Sequence, residues 1–232
     1  MEFTPVEWEA LQLSLKVSFW SVVCSLPLGI AAAWVLARLE FPGKGILNGI
    51  IHLPLVLPPV VTGYLLLLTL GTKGPVGAWL HDTFGIVLAF RWTGAVVAAA
   101  VMGFPLMVRA IRLSLESVDW RLESAAATLG ANRFFVFVTI TLPLIVPGLI
   151  AGTILSFAKG LGEFGATITF VSNIPGETRT LPIAIYSFLQ VPGSEGAATR
   201  LTVIAVTVSM LALVASEILA RRAARKLHGA NA

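Results

Sequence analysis

Long apolar runs separated by short polar ones dominate the chain. Five runs are long enough to cross a bilayer core of about 30 Å, which takes about 20 helical residues. They lie at residues 17–37, 46–70, 93–108, 142–161 and 201–219. Because only helices or closed barrels span lipid, this pattern predicts an all-α polytopic membrane protein, one domain over residues 1–232 with about five transmembrane helices.

Two segments do not fit a simple straight span. Within residues 46–70, the run Leu57-Pro58-Pro59 is followed by Thr62-Gly63, and proline removes a backbone donor and disfavours helix in the residue before it. We expect a kinked helix there, which either packs without further role or lines a pathway. Residues 180–190 are apolar but too short to cross, so they predict an interfacial or re-entrant segment on the outer side.

The longest polar interruption, residues 112–141, is predicted to fold as a helical hairpin, and "the hairpin" below means this segment. Asp119 can cap the first helix, Gly130 can end it in a left-handed conformation, and Asn132 can cap the next one. The first helix carries an apolar face at helical spacing, made by Val118, Leu122, Ala125, Ala126 and Leu129. Such a helix either lies on the bilayer surface or docks into a groove of a partner, and its small alanines favour docking.

Composition excludes a soluble protein. The 232 residues are 56% hydrophobic and 12% charged, with a mean hydropathy of +0.88, whereas soluble domains carry about 25% charged residues. The net charge of +4 comes from basic residues clustered at span ends, so it indicates membrane orientation and no nucleic-acid partner. The three histidines stand singly and Cys24 lies alone in an apolar run, so we expect no metal site and no catalytic group.

The distribution of Lys and Arg predicts the orientation. With five spans, the segments on the hairpin's side hold ten of the 16 basic residues: Arg38, Lys44, Arg109, Arg112, Arg121, Arg133, Arg221, Arg222, Arg225 and Lys226. Basic residues accumulate on the cytoplasmic side. We therefore expect the N-terminus outside, in the periplasm, and the hairpin and the C-terminus in the cytoplasm.

Glu163 is an acid near the membrane, at the outer end of the fourth span among three glycines. It can form an ion pair with Lys159, one turn earlier, or act as a gate at the mouth of a pathway. Both interpretations stay open at this point.

The hairpin contains a spacing that resembles a known family. Ala125-Ala126, three residues, Gly130, nine residues, then Ile140-x-Leu142-Pro143 is similar to the cytoplasmic-loop signature of ABC importer permeases. The acid expected just before the alanines is displaced: Ser124 occupies that position, and Glu123 precedes it. The resemblance implies a type I ABC importer permease fold and a coupling helix that docks on a cytoplasmic ATP-hydrolysing subunit. The residues assigned to that coupling loop are Asp119, Glu123, Ser124, Ala125, Ala126, Gly130, Ile140, Leu142 and Pro143.

Further stretches between Leu53 and Tyr186 look like the permease subunits of bacterial molybdate importers, with related sulfate or tungstate permeases as the alternative. The resemblance implies a homodimer in the bacterial inner membrane that works with two ATPase subunits and a periplasmic molybdate-binding protein. No Walker A pattern occurs, so this chain is expected to bind no cofactor and to leave ATP and Mg²⁺ to its partner. The candidate pathway or gate residues are Pro58, Pro59, Thr62, Gly63, Gly162, Glu163, Phe164, Gly165 and Thr167.

Two other classes remain as alternatives. A secondary transporter is expected to show inverted repeats and a charged or unwound site at mid-membrane, and neither is visible in the sequence. A structural membrane scaffold would not need the spacing from Gly130 to Pro143.

Overall fold

The computed structural model describes residues 4–229, and all regular secondary structure in that range is helical. The predicted domain also included residues 1–3 and 230–232, which lie outside the described range. The helices are α1 (Pro5–Arg38), α2 (Lys44–Val56), α3 (Pro59–Leu70), α4 (Pro75–Phe84), α5 (Trp92–Glu116), α6 (Trp120–Thr128), α7 (Arg133–Val136), α8 (Leu142–Leu161), α9 (Gly165–Val171), α10 (Leu181–Leu189) and α11 (Glu195–Gly229). A π-helical turn, Phe137–Thr141, joins α7 to α8.

Four continuous helices in the described range are long and apolar enough to cross a membrane. They are α1, α5, the run from Arg133 to Leu161, and α11, and the bent pair α2–α3 makes a fifth if it counts as one span. The predicted class, all-α with about five transmembrane helices, is confirmed. Helix α10 has nine residues, or about 13 Å, which is too short to cross.

The second predicted span differs from expectation. In place of one kinked helix over residues 46–70, two helices meet at 115°. Leu57 and Pro58 at the junction both have extended backbone, with ψ of 144° and 132°. Two consecutive prolines remove two amide donors and push each preceding residue out of the helical region, so the helix breaks and restarts at Pro59.

Helix α5 is the centre of the molecule and packs against both α1 and α8. Its buried face is built largely from small side chains, among them Ala95, Ala98 and Ala99. On α8, a Cβ added at Gly152 would lie 3.0 Å from the carbonyl oxygen of Met107, so the glycine lets the two backbones approach. Close packing of small residues replaces the hydrophobic driving force that is missing between helices in lipid.

Contacts between helix termini define two ends of the molecule. At one end, the last residue of α1, Arg38, contacts Glu123 of the hairpin. At the other end, Arg200 of α11 forms an ion pair of 2.8 Å with the buried Glu7 of α1, and Lys16 lies 3.6 Å from the ring centroid of Trp92, where α5 begins. Helices α1, α5 and α11 therefore run in the same direction. We call these the hairpin end and the opposite end.

Candidate functional site: the hairpin and the crossing of α3 with α9

The hairpin has the predicted caps. Asp119 Oδ1 accepts a hydrogen bond of 2.9 Å from the amide of Arg121 and starts α6. Gly130 ends that helix at φ +86°, a left-handed conformation that L-residues rarely adopt. Asn132 Oδ1 accepts from the amide of Phe135 at 2.7 Å and starts α7. Local sequence alone accounts for these turns, since each cap joins residues only two or three apart.

Helix α6 turns its apolar face away from the rest of the protein. No residue of α6 is buried, and the side chain of Leu129 is 89% exposed. The opposite face, with Trp120, Ser124 and Ala127, lines an open cavity of about 380 Å³ against the end of α1. Leu122 and Ala125 are exposed on the same side as Leu129. Together, Leu122, Ala125 and Leu129 form an exposed apolar patch on the hairpin, and patches of this kind are typical of surfaces that contact another molecule.

Val118 was predicted to belong to that apolar face, and this assignment is wrong. Val118 precedes α6 and is buried against the core, in the cluster that contains Leu115 and Ile145. The chain turns at Asp119 to begin the new helix, so the periodicity does not run through position 118.

Glu123 connects three elements. Its Oε1 atom accepts a hydrogen bond of 2.9 Å from Arg38 Nη2, at the end of α1, and one of 2.7 Å from Thr141 Oγ1, in the π-helical turn. Both side chains of the ion pair are about three-quarters shielded from solvent, with 22% and 26% of their surface exposed. Hydrogen bonds to a charged group in such a place are stronger than neutral ones. The carboxylate therefore holds α6 against α1 and against the entry to α8.

The displaced acid has a structural explanation. Ser124, which occupies the position where the family pattern has an acid, is exposed and donates to the carbonyl of Trp120 in its own helix, at 3.0 Å. One residue earlier, the side chain of Glu123 points inward to Arg38. The shift by one position turns the carboxylate by about 100° around the helix, away from the position of Ser124 and toward Arg38 and Thr141.

The end of the motif lies where the hairpin enters the membrane span. The amide of Leu142 donates to the carbonyl of Phe137, five residues back, which makes the π-helical turn containing Ile140. Pro143 follows and has no amide hydrogen to donate. The Leu-Pro pair thus begins α8 at a point where regular helical hydrogen bonding is already interrupted, an arrangement often found at functional sites.

Arg38 and Thr141 were not singled out in the sequence as coupling residues. Arg38 entered only the count of basic residues, and Thr141 is the variable position between Ile140 and Leu142. The two lie 103 positions apart and meet only through Glu123. The one signal in the sequence was the displacement of Glu123 from its expected motif position, which suggested that its carboxylate pairs with a residue inside the protein.

The two groups of candidate pathway residues come together where α3 crosses α9. A Cβ added at Gly63 would lie 2.5 Å from the carbonyl oxygen of Ala166, and one at Gly165 would lie 2.7 Å from Cβ of Pro59. Each glycine therefore permits the other helix to approach. These residues are more than 100 positions apart in sequence, so the crossing is a tertiary contact.

Two threonines lie buried at this crossing. Thr62 is 5% exposed and Thr167 is 2% exposed. The hydroxyl of Thr62 has no hydrogen-bond partner in the described part of the chain. A buried hydroxyl without a partner is costly, so the crossing carries polar groups that the packing of this chain alone does not satisfy.

Glu163 forms the predicted ion pair. Its Oε2 accepts from Lys159 Nζ at 2.6 Å, and its Oε1 accepts from the amide of Ala166 at 3.0 Å, in the first turn of α9. The side chain of Glu163 is 1% exposed and that of Lys159 is 30% exposed, so the acid is buried while its partner reaches the surface. Gly162, the residue before Glu163, ends α8. The ring centroid of Phe164, the residue after Glu163, lies 5.1 Å from that of Tyr186 on α10. The gate remains a prediction, now placed on a helix terminus that Glu163 holds.

Among the described residues, no group of three or more His, Cys, Asp or Glu side chains could hold a metal ion.

Comparison with known proteins identifies the family. The family described as "Binding-protein-dependent transport system inner membrane component" matches residues 25–225 of the chain. The chain belongs to this family. Membership in the binding-protein-dependent permeases makes it a multi-pass inner-membrane component of a transport system.

Relatives within this family are similar over most of their length. The chain is 62% identical over 221 residues to the molybdenum transport system permease protein ModB of Escherichia coli (strain K12), which covers 95% of this chain and 96% of that protein. It is 37% identical over 216 residues to the sulfate transport system permease protein CysW of Synechocystis sp., covering 92% and 76%.

A solved structure shows the same fold. The bacterial alginate ABC transporter, crystallised in complex with its alginate pentasaccharide-bound periplasmic protein, contains a chain that matches with a TM-score of 0.74 at 19% identity. The match covers 94% of this chain and 80% of that one. The fold is thus that of a type I ABC importer permease, as the hairpin spacing implied.

Proposed function

We propose that this chain is the membrane permease subunit of an ATP-driven importer that carries molybdate from the periplasm to the cytoplasm. The observation that carries the proposal is the hairpin. It presents an exposed apolar helix, Leu129 at its tip, in a chain that is 62% identical to a molybdenum permease over 95% of its length. Two copies form one pathway, and a periplasmic binding protein delivers the dianion from outside.

The hairpin is the site where energy enters. Each of two cytoplasmic ATPase subunits, which bind the ATP and Mg²⁺, receives the exposed face of α6 in a groove. Movement of α6 passes to α1 through Arg38 and to α8 through Thr141, because Glu123 joins all three. A rigid connection of this kind converts motion of a docked partner into rearrangement of packed helices.

The orientation follows from the two ends of the molecule. The hairpin end carries Arg38, Lys44, Arg109, Arg112, Arg121 and Arg133 within the described residues. We place it in the cytoplasm and the opposite end, with Glu7 and Arg200, in the periplasm. On this orientation the crossing of α3 with α9 lies in the outer half, where Glu163, Gly165 and Thr167 form the gate.

Uptake measurements test the substrate. Expressed in a bacterium that lacks its own molybdate permease, together with its ATPase and binding protein, this chain should restore accumulation of radiolabelled molybdate at limiting external concentration. Excess sulfate should compete poorly, because the oxyanion is selected before it reaches the membrane.

Expression in a sulfate-permease mutant is the matched control. Restored sulfate uptake there, with no molybdate uptake in the first strain, would assign the chain to sulfate, the function of its CysW relative. Uptake that persists without the ATPase subunit would favour a secondary transporter and overturn the proposal.

A further inference from the structure

A polar cavity lies between α2 and α5, away from both the docking face of α6 and the crossing of α3 with α9. Its volume is about 320 Å³. The residues that line it are Asn48, His52, Arg109, Arg112, Leu113 and Glu116. Five of these six side chains are polar or charged, in a chain with only 12% charged residues.

The cavity extends inward from the end of α5, because Glu116, the last residue of that helix, is one of its lining residues. His52 is eight residues from the start of α2 at Lys44, and Arg109 is seven residues from the end of α5 at Glu116. At 1.5 Å per residue, these distances are about 12 Å and about 10 Å along the helix axes. The third predicted span ended at residue 108, just before Arg109, but α5 continues for two further turns. Charged groups on a helix that continues into a membrane span face water or a polar partner, because lipid would make them costly.

Hydrogen bonds hold part of this cluster in place. Arg112 Nε donates to Glu116 Oε1 at 2.7 Å, and Arg112 Nη1 donates to Asn48 Oδ1 at 3.2 Å. His52 Nδ1 lies 2.9 Å from the carbonyl oxygen of Asn48. Since a carbonyl can only accept, Nδ1 carries the hydrogen, and Nε2 remains available at the other side of the ring.

Arg109 is the member of the cluster that remains available. It is exposed, and within residues 4–229 its side chain has no ion pair and no hydrogen bond. It stands one turn before Arg112 on α5, so the two guanidinium groups lie on the same face. Glu116 balances one of the two charges, which leaves the cavity with a net positive charge.

This set of donors matches a tetrahedral oxyanion. Guanidinium groups present paired N–H donors to such anions, and the side-chain NH₂ of Asn48, whose Oδ1 is taken by Arg112, can donate to a remaining oxygen. Glu116 neutralises Arg112 in part, which limits the affinity. A transported ion needs sites that attract it but do not retain it.

We propose that the cavity between α2 and α5 is an oxyanion-binding site in the inner half of the pathway. It receives the transported dianion after the crossing of α3 with α9 opens, and it releases that ion to the cytoplasm. Arg109 is the principal ligand, and Arg112 and Asn48 assist. This inference rests on the proposed function and on the proposed orientation.

The test uses the complete transporter, this chain with its ATPase subunit, in nanodiscs without the binding protein. Equilibrium binding of radiolabelled molybdate is the measurement. Arg109→Gln should raise the Kd at least tenfold, and Arg109→Lys, which keeps the charge but loses the paired donors, should lie between that variant and the wild type. Because Arg109 has no structural partner among the described residues, the ATPase subunit should still copurify in normal amount.

Arg222→Gln is the matched control. It removes an exposed arginine of α11 on the same side of the membrane but outside the cavity, and its Kd should equal that of the wild type. An unchanged Kd in Arg109→Gln, or no binding by the wild type above that of empty nanodiscs, would overturn the site. In either case, ATP-driven molybdate uptake by wild-type proteoliposomes with the binding protein would still uphold the proposed function.

Binding in nanodiscs of different lipid composition distinguishes the transported ion from the phosphate of a lipid headgroup, which has similar chemistry. Binding should be the same in nanodiscs of phosphatidylcholine alone and in nanodiscs that contain phosphatidylglycerol. Loss of molybdate binding when phosphatidylglycerol is present would assign the cavity to a lipid headgroup and overturn the proposal.

Discussion

At the scale of single residues, Glu123 shows how a small shift in sequence changes the role of a side chain. An acid one position later would occupy the exposed position of Ser124, whereas Glu123 faces Arg38 and Thr141. Hydrogen bonds to charged groups contribute about 1.5–3 kcal/mol each when they are shielded from water. The carboxylate therefore fastens the hairpin to the spans instead of contacting a docked partner.

Glu123→Ala should uncouple the transporter. Loss of the two bonds frees α6 from α1 and α8, so ATP hydrolysis should continue while molybdate uptake per ATP hydrolysed falls about tenfold, equivalent to about 1.4 kcal/mol. Uptake and hydrolysis are measured together in proteoliposomes. Arg38→Ala, which leaves the bond to Thr141, should have a smaller effect, and the double variant should be no worse than Glu123→Ala, because that substitution already removes the contact with Arg38.

Glu40→Ala is the control for that substitution. Glu40 pairs with Lys44 at the same end of the molecule, but its side chain is 88% exposed, and such pairs contribute little. Molybdate uptake per ATP hydrolysed should be the same in Glu40→Ala as in the wild type. A wild-type ratio in Glu123→Ala as well would refute the connection through Glu123.

At the scale of elements, the pair α3–α9 depends on glycine. The backbones approach until Gly63 and Gly165 leave no room for a Cβ. The atoms nearest to a Cβ added at Gly63 are backbone atoms of Ala166, and the atom nearest to one added at Gly165 is Cβ of Pro59, which the proline ring holds in place. A crossing this close transmits displacement from one helix to the other, which suits the proposed gate.

Gly63→Ala should destabilise the protein and impair uptake. The new methyl group would lie 2.5 Å from the carbonyl oxygen of Ala166, and overpacking of this kind costs about 1–3 kcal/mol. We expect the midpoint of thermal unfolding in detergent to fall by several degrees, with a parallel loss of molybdate uptake.

Gly49→Ala on α2 is the matched control for Gly63→Ala, because a Cβ at Gly49 meets nothing within 4 Å. Alanine favours helix over glycine, so this variant should be as stable as the wild type or slightly more stable. Equal effects of the two substitutions would show that the crossing is not close-packed in solution.

At the scale of the whole molecule, the protein has two distinct ends held by long-range contacts. Glu7 and Arg200 are 193 positions apart, and their ion pair joins the starts of α1 and α11. Arg38 and Glu123 join the hairpin to the end of α1. The surfaces of α2 and α11 remain largely uncovered by this chain: no residue of α2 is buried, nor is any in the apolar window of α11. Lipid and a second copy are the partners we propose for them.

Cysteine labelling tests the orientation of the two ends. In a Cys24→Ala background, an impermeant maleimide added to intact spheroplasts should react with Pro192→Cys and not with Thr128→Cys. Both positions are exposed in this chain, so when it is expressed without the ATPase subunit the bilayer alone should decide the difference. Lysed cells, in which both should react, provide the control, and labelling of Thr128→Cys alone in intact cells would reverse the proposed topology.

Much of the fold could be predicted because its signals are local. Apolar length indicated about five spans, and Asp119, Gly130 and Asn132 occupy the predicted caps of the hairpin. The sharp break at Pro58 was underestimated as a kink. A single proline bends a helix, and the cumulative effect of two depends on what packs against the restarted helix.

The site could be predicted only in part. Sequence spacing indicated the exposed hairpin and both halves of the crossing, because motifs are runs of neighbouring residues. The partners of Glu123 and the cavity around Arg109 could not be found in this way. They bring together α1 with α6, and α2 with α5, and no local pattern encodes which helices become neighbours.

The sequence by itself determined the membrane class, the helical segments, their caps and the family resemblance of the hairpin. These depend on hydrophobic length, on backbone preferences and on bonds between residues a few positions apart. Only the tertiary structure decided that the displaced acid points inward to Arg38, that Gly63 meets Ala166, and that Arg109 opens on a polar cavity. Those features depend on packing between helices that are distant in sequence. Such packing is set by how the helices fit together, and no single helix determines it.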